Sequence, residues 1–143
     1  MGKPALSDVI LELHVPNFEE VKDFYGRLGF KVVWEREPDG FKGYLVMKRR
    51  NAILCFWGGN DEIYNHPYFK KFPKNMKRGY AVETVIFVEN IETYYEKVKR
   101  FAKVVEELTL QPWGNKDFRI EDPFGFYLRI SEPYNTLYAE KGS

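Results

Sequence analysis

The segment Val15-Pro16-Asn17-Phe18-Glu19 returns 73 positions later as Val88-Glu89-Asn90-Ile91-Glu92, and this internal repeat is the strongest indication of the fold. Each copy places an asparagine where a helix N-cap belongs, directly after a strand-like run. In the run from residue 9 to 15 every second residue, from Val9 to Val15, is apolar, whereas the other face carries Glu12 and His14, and this pattern predicts a half-buried strand. A second run, from 80 to 88, precedes the second copy. The sequence therefore predicts two copies of one structural unit.

The elements that follow each copy confirm the order of the repeat. After Asn17, with Glu20 as its capping-box partner, helical spacing continues until Gly29 closes the first helix. After Asn90, a second helix carries a stripe of Ile91, Tyr94, Val98 and Phe101. Three strand-like runs follow each helix, at 30–37, 41–48 and 52–57, and at 103–110, 116–121 and 126–131.

These patterns predict an α+β fold class with two tandem βαβββ modules inside a single domain, 1–143. The modules are expected at 8–57 and 80–133, with a tail over 134–143. Between the modules, residues 58–79 contain two prolines and a glycine pair and are interpreted as a linker with one helical turn near 63–69.

Composition excludes several classes of protein. The 143 residues carry 22 Lys and Arg against 21 Asp and Glu, so no nucleic-acid partner is expected. No apolar run reaches the ~18 residues of a membrane span, and the first residues lack a secretory pattern, so no membrane partner and a cytoplasmic location are expected. With Cys55 as the one cysteine, neither an intrachain disulfide nor a Cys-based zinc cluster can form. Aromatic residues make up 17% of the chain, more than a small core requires.

Four local motifs carry a resemblance to a known family. They are Phe24-Tyr25-x-x-Leu28-Gly29-Phe30, Leu54-x-Phe56-Trp57-Gly58, Gln111-Pro112-Trp113-Gly114-x-x-x-Phe118 and Asp122-Pro123-x-Gly125-x-x-x-Arg129. Together with the doubled βαβββ order, they resemble the vicinal-oxygen-chelate superfamily of glyoxalases, extradiol dioxygenases and bleomycin-resistance proteins. The last two motifs resemble the bleomycin-resistance proteins most closely.

The resemblance implies a curled mixed β-sheet with a cleft, where the enzymes of the superfamily hold a divalent metal. It places the metal-ligand positions at Ile10, Cys55, Glu83 and Arg129. An octahedral or facial-triad site needs two or three His or carboxylate ligands, and this set does not supply them. We therefore expect no metal, no cofactor and no catalytic residues. A shifted metal site built from Glu12, His14 and Glu83 stays open as an alternative.

Without a metal, the faces of the strands that point into the cleft become a candidate small-molecule site. The resemblance assigns stacking on a planar or aromatic ligand to Trp57, Trp113 and Phe118, and it implies a homodimer. Strand alternation adds the remaining candidate residues, which are Glu12, His14, Glu83, Phe87, Tyr127 and Arg129.

Each of these residues also has a structural interpretation. Glu83 and Arg129 can form a buried ion pair, the aromatic rings can pack in the core or a dimer interface, and His14 can be a hydrogen-bonded strand residue. Cys55 is interpreted as a small buried residue, His66 as a surface residue, and the lysines from Lys70 onward as solvated surface.

Three functions stay open from the sequence. The favoured one is a metal-free ligand-binding protein of the antibiotic-resistance type. The second is a metal-dependent lyase, isomerase or dioxygenase of the same superfamily with an altered site. The third is an interaction protein whose groove is vestigial.

Overall fold

A computed structural model describes residues 8–136, which divide after Lys74 into two units. The first unit contains β1 (Glu12–Val15), α1 (Phe18–Arg27), β2 (Lys31–Arg36), β3 (Tyr44–Arg49) and β4 (Ala52–Gly58), followed by two short 3₁₀ turns, Asp61–Asn65 and Phe69–Lys71. The second unit contains β5 (Glu83–Phe87), α2 (Ile91–Val98), β6 (Lys103–Leu110), β7 (Lys116–Glu121) and β8 (Tyr127–Ser131).

The two units have the same sheet topology. The first sheet has the order β1-β4-β3-β2 and the second has the order β5-β8-β7-β6. In each sheet the first and last strands of the unit pair in parallel, and the remaining pairs are antiparallel. Even the register repeats, because Glu12 lies opposite Cys55 and the equivalent Val85 lies opposite Arg129. The α+β fold class and the doubled βαβββ unit are therefore confirmed.

Helix α1 forms as the sequence predicts. The Asn17 side-chain oxygen accepts a hydrogen bond from the Glu20 backbone N–H at 3.0 Å, and the N-cap satisfies one of the free donors of the first turn. Gly29 follows the helix with a φ of +106°, a conformation that favours glycine. The apolar face of the helix, including the fully buried Val21 and Tyr25, packs into the core of the first unit.

The start of α2 differs from the prediction. Asn90 precedes the helix in a left-handed conformation with a φ of +55°, and its side chain makes no capping hydrogen bond. The prediction that the Asn90 side chain caps α2, as that of Asn17 caps α1, is wrong. The repeated asparagine therefore marks the same place in both units, while its conformation differs. The helix ends at Val98, and the half-buried Phe101 lies in the turn that follows.

The first part of the segment over 58–79 packs against the first unit. The Gly59 backbone N–H donates to the Val15 carbonyl at 2.7 Å, and Ile63 in the first 3₁₀ turn is 1% exposed. A Cβ at Gly59 would lie 2.8 Å from the Phe18 ring, so the chain passes α1 at a distance that glycine allows. Because the units divide after Lys74, residues 58–74 belong to the first unit.

None of the helices in the described part of the chain is both long and apolar enough to cross a bilayer. The part of the expected tail from 137 onward lies outside the described residues.

Candidate functional site

Strand alternation gives the first sheet a core face and an open face. Leu13 and Val15 of β1 are buried in the core, so Glu12 and His14 lie on the opposite face. The register then places Cys55 beside Glu12, and Trp57 beside His14. Glu12, His14 and Trp57 therefore lie on the face away from the core, as strand alternation predicts, while the role of this face in binding a ligand stays a prediction.

A carboxylate and a phenol pair on this open face. The Tyr44 hydroxyl donates a hydrogen bond to the Glu12 Oε2 atom at 2.5 Å. Burial, followed by the contacts with Glu12 and Cys55, raises the pKa of Tyr44 well above its ordinary value. The phenol therefore keeps its proton and stays bonded to the Glu12 carboxylate. The Cys55 side chain is 6% exposed next to this pair, as expected for a small buried residue.

An aromatic cluster forms at the other end of the same face. The His14 and Trp57 rings meet edge to face with their centroids 3.7 Å apart, and His14 also contacts Phe69 at 4.8 Å. The second histidine of the chain joins them, because the His66 ring lies 5.4 Å from the rings of both His14 and Trp57. The prediction that His66 is a surface residue is wrong, since the 3₁₀ turns bring this half-buried ring back onto the sheet.

His66 also holds the second 3₁₀ turn in place. Its Nδ1 atom accepts hydrogen bonds from the backbone N–H groups of Tyr68 at 3.1 Å and Phe69 at 3.3 Å. Acceptance of both N–H groups at Nδ1 leaves Nε2 as the ring nitrogen that can donate. His66 therefore acts as a turn cap that positions Phe69 beside His14.

The second sheet carries an arginine network on the face that corresponds to the open face of the first. Arg119 and Arg129 lie directly opposite each other on β7 and β8. The Glu83 carboxylate bridges them, with Oε1 at 3.5 Å from the Arg129 Nε atom and Oε2 at 3.7 Å from the Arg119 Nε atom. Like charges at directly opposed positions destabilise a sheet unless they are compensated. Glu83 supplies that compensation, so the predicted ion pair between Glu83 and Arg129 is present.

Asp117 is the buried member of the arginine network. It is 0% exposed, lies 3.5 Å from the Arg129 guanidinium and accepts a hydrogen bond from Gln111 at 2.7 Å. The Tyr134 hydroxyl accepts a further hydrogen bond from Arg129 at 3.2 Å. Burial acts to lower the pKa of Arg129, but the oxygens of Tyr134, Glu83 and Asp117 outweigh it and raise that pKa. The arginine is held as a fixed cation by three oxygen-bearing side chains.

The remaining candidate residues of the second unit separate into two groups. Phe87 is 36% exposed and contacts the Tyr134 ring at 4.9 Å, and Trp113 is 38% exposed in the turn between β6 and β7. Phe118 is 0% exposed and packs against Tyr95 of α2. The prediction that Phe118 stacks on a ligand is therefore wrong, because its ring lies in the core, on the helix side of the sheet.

Tyr127 lies at the edge of a cavity in the second unit. The cavity has a volume of about 360 Å³, and its wall includes Glu83 at the start of β5. The turn that precedes β5 forms another part of the wall, where Ala81 has a φ of +64°. Glu83 and Tyr127 are paired across β5 and β8, so the cavity adjoins the arginine network.

The residues at the implied metal positions do not fit a metal ion. Ile10 offers no ligand atom, and Arg129 places a cation 3.5 Å from the Glu83 carboxylate. Within residues 8–136, no group of three or more His, Cys, Asp or Glu side chains lies close enough together to hold a metal. The alternative set of Glu12, His14 and Glu83 combines residues of both units and stays a prediction.

Several residues of these faces are not among those predicted from the sequence. Tyr44 and Arg119 alternate with buried neighbours along β3 and β7, and this period was a usable signal. The buried Asp117 lies two residues before Arg119 and therefore on the same face of β7. Trp34 on β2 is 50% exposed and its ring lies 6.0 Å from the Tyr44 ring. A register shift between Val32 and Trp34 breaks the alternation of β2, which hides the orientation of Trp34 in the sequence.

Two copies of a βαβββ unit, each with polar and aromatic side chains on the open face of its sheet, define a paired-module α+β protein. The chain belongs to the Glyoxalase/Bleomycin resistance protein/Dioxygenase superfamily, whose family model matches residues 9–130.

Solved structures share this fold at low sequence identity. A bleomycin-binding protein complexed with bleomycin is 20% identical, with a TM-score of 0.61 over 90% of this chain and 99% of its own. TioX from Micromonospora sp. ML1 is 16% identical, with a TM-score of 0.65 over 88% of this chain and 98% of its own. The protein SMU.1112c is 23% identical, with a TM-score of 0.65 over 90% of this chain and 100% of its own. No curated protein sequence matches the chain.

Proposed function

We propose that the protein binds a small molecule with a planar or aromatic group, without a metal. The observation that carries this proposal is the arginine network of the second unit. Arg129 stands where the family resemblance implies a metal ligand, and the Glu83 carboxylate is engaged by two guanidinium groups. A carboxylate held by two cations is a poor ligand for a third.

Aromatic side chains on the open faces of both sheets support a ligand with a planar or aromatic group. Trp57 is half-buried in the first unit, and Phe87 and Trp113 are each more than a third exposed in the second. Aromatic rings with an accessible side and a supported side provide rigid surfaces for planar groups. A structural neighbour with the same fold is a complex with bleomycin, which illustrates a ligand of this class. Bleomycin itself is cationic, and a chain of net charge +1 offers it no long-range attraction.

A thermal-shift screen tests the proposal. The panel contains planar aromatic compounds of positive, neutral and negative charge, with bleomycin among them. A ligand present at about 100-fold its Kd adds about 2.7 kcal/mol to the free energy of unfolding, which a melting curve resolves. If no compound of a broad panel shifts the melting temperature, the interaction-protein alternative replaces this proposal.

Substitution of the tryptophans separates stacking from packing. Trp113→Leu removes the aromatic face, and the matched variant Trp113→Phe keeps one. We expect the leucine variant to lose the ligand while its melting temperature without ligand changes little, since the side chain is 38% exposed. Trp57 packs against His14 and His66, so Trp57→Phe is the better variant there. Equal ligand affinity in all variants would remove both tryptophans from the proposed site.

The proposed assembly is a homodimer. β1 lies at the edge of its sheet, and Ile10 and Leu11 just before it are 62% and 53% exposed. Exposed apolar residues beside a sheet edge favour contact with another chain. Sedimentation analysis of the wild type and of Leu11→Asp tests this, with a dimer expected for the first and a monomer for the second. A role in antibiotic resistance and a cytoplasmic location, where Cys55 stays reduced, complete the proposal.

A further inference from the structure

The nearly neutral net charge conceals a segregation of charge along the chain. Between Glu62 and Glu83 there is no acidic residue, yet five of the 22 Lys and Arg residues lie there. The rest of the chain then carries 17 basic against 21 acidic residues. A basic segment attached to an acidic remainder attracts an anionic partner locally, which the net charge of +1 does not indicate.

Aromatic residues lie among the lysines of this segment. We define the basic-aromatic loop as residues 64–74, which belong to the first unit. Tyr68 is 56% exposed and Phe72 is 39% exposed. Lys70, Lys71 and Lys74 are exposed as well, and none of them forms an ion pair with a residue that the structure describes. Large exposed rings beside cations that have no carboxylate partner indicate a surface for binding rather than solvated surface alone.

The geometry of the rings selects the kind of partner. Tyr68 meets Phe69 and Phe72 edge to face, with centroids 5.0 Å and 6.0 Å apart. The Lys71 ammonium lies 4.3 Å from the centre of the Tyr68 ring and 5.5 Å from that of Phe72. Nucleic-acid bases need open, roughly parallel ring faces for stacking. Here the rings pack on each other and are covered by a cation, so the loop presents a compact apolar tip surrounded by ammonium groups.

We propose that the basic-aromatic loop binds the surface of an anionic phospholipid bilayer. Tyr68 and Phe72 enter the boundary between headgroups and acyl chains, as aromatic side chains do at membrane interfaces. Lys70, Lys71 and Lys74 remain at the level of the phosphates, because their long side chains allow the ammonium to reach the polar layer. This is peripheral binding, consistent with helices that do not span a membrane in the described part of the chain. It revises the expectation of no membrane partner, which rested on the absence of an apolar span and of a secretory pattern.

Vesicle co-sedimentation with the full chain tests the proposal. The probe is phosphatidylcholine vesicles containing about 30% phosphatidylserine, with pure phosphatidylcholine vesicles as the comparison. We expect binding to the anionic vesicles alone. Binding should weaken as salt is raised from about 0.1 M to about 0.5 M, because screening shortens the range of the attraction.

Two charge-matched variants locate the binding surface. The variant Lys70→Gln/Lys71→Gln/Lys74→Gln removes the three loop cations, and the control Lys31→Gln/Lys42→Gln/Lys97→Gln removes three exposed cations elsewhere. Each lysine near an anionic surface contributes about a fivefold gain in affinity, so the loop variant should bind roughly 100-fold more weakly. The control should bind as the wild type does. Equal loss in both variants would overturn the proposal, since it would show attraction without a defined surface.

The apolar part of the surface is tested separately with Tyr68→Ser against Leu110→Ser. Both side chains are more than half exposed, so neither change should lower the melting temperature. The first variant should bind anionic vesicles less than the wild type, and the second should bind equally well. If the wild type ignores both vesicles but binds a fluorescent single-stranded thymidine oligomer through the loop lysines, a nucleic-acid surface replaces the proposal. If vesicles are ignored and the loop variant loses a dimer, the partner is a second copy of the chain.

Discussion

Replacing Glu83 by Gln tests the arginine network most informatively, because it removes one charge and almost no volume. Glu83 contacts both arginines at 3.5 Å and 3.7 Å, and the side chains of Arg129, Arg119 and Glu83 are 13%, 21% and 32% exposed. Breaking a fully buried pair costs about 3–5 kcal/mol. The longer contacts and the partly exposed carboxylate reduce this, so we expect Glu83→Gln to lower the free energy of unfolding by about 1–2 kcal/mol.

The variant Arg129→Met should cost more than Glu83→Gln. It leaves the Asp117 carboxylate, which is 0% exposed, with the hydrogen bond from Gln111 but without the guanidinium. We expect a loss of about 3 kcal/mol, because a buried charge without its counter-ion is strongly unfavourable.

Urea unfolding followed by circular dichroism measures both losses. The control is Glu107→Gln, an exposed carboxylate of β6, which should change the stability by less than about 0.5 kcal/mol. A Glu83→Gln variant as stable as the wild type, together with a loss below about 1 kcal/mol in Arg129→Met, would show that the arginine network does not stabilise the fold. Glu83 would then be free to serve another role, including metal binding.

Three further predictions concern other parts of the chain. Burial and the bond to Glu12 hold the pKa of Tyr44 above its ordinary value, so this tyrosine contributes stability that is present below about pH 10 and lost as the pH rises further. Ultraviolet titration should show that Tyr44→Phe removes no ionisation near pH 10, and a missing step there would contradict the assignment. Phe118→Ala should lower the free energy of unfolding, measured with urea, by about 3–5 kcal/mol, because it leaves a cavity in the core. A small loss would make Phe118 a candidate for ligand stacking again. Asn17→Ala should lower the free energy of unfolding by about 1 kcal/mol, because it removes the side-chain cap of α1. Asn90→Gly should not lower it, because glycine adopts a φ of +55° without strain. Equal losses in the two variants would show that both asparagines cap their helices.

The fold was predictable because its elements have clear local sequence patterns and these patterns occur in both halves of the chain. The alternation before Val15 and the helical spacing after Asn17 each indicate an element, and their return 73 residues later fixes the topology. Strands β6 and β7 have the bounds that the sequence predicts. The conformation of Asn90 was not predictable, because a cap depends on backbone angles that the residue type permits in more than one form.

The site was predictable only in part, because alternation gives the face of a strand and not the distance between side chains. It placed Glu12, His14 and Trp57 on the open face correctly. It could not place His66, since that ring reaches the cluster through two 3₁₀ turns without periodicity. Phe118 was assigned by motif resemblance, although its own alternation with Asp117 points it to the other face.

Ligand binding by metal-free protein decides whether this chain works without a metal ion. Protein stripped with a chelator, and protein incubated with Mn, Fe, Ni and Zn ions, are compared for metal content and for the thermal shift with the best compound of the panel. We predict far less than one metal ion per chain and the same shift in both samples. One firmly bound ion per chain, with the shift lost on chelation, would instead identify the protein as a metal-dependent member of the superfamily.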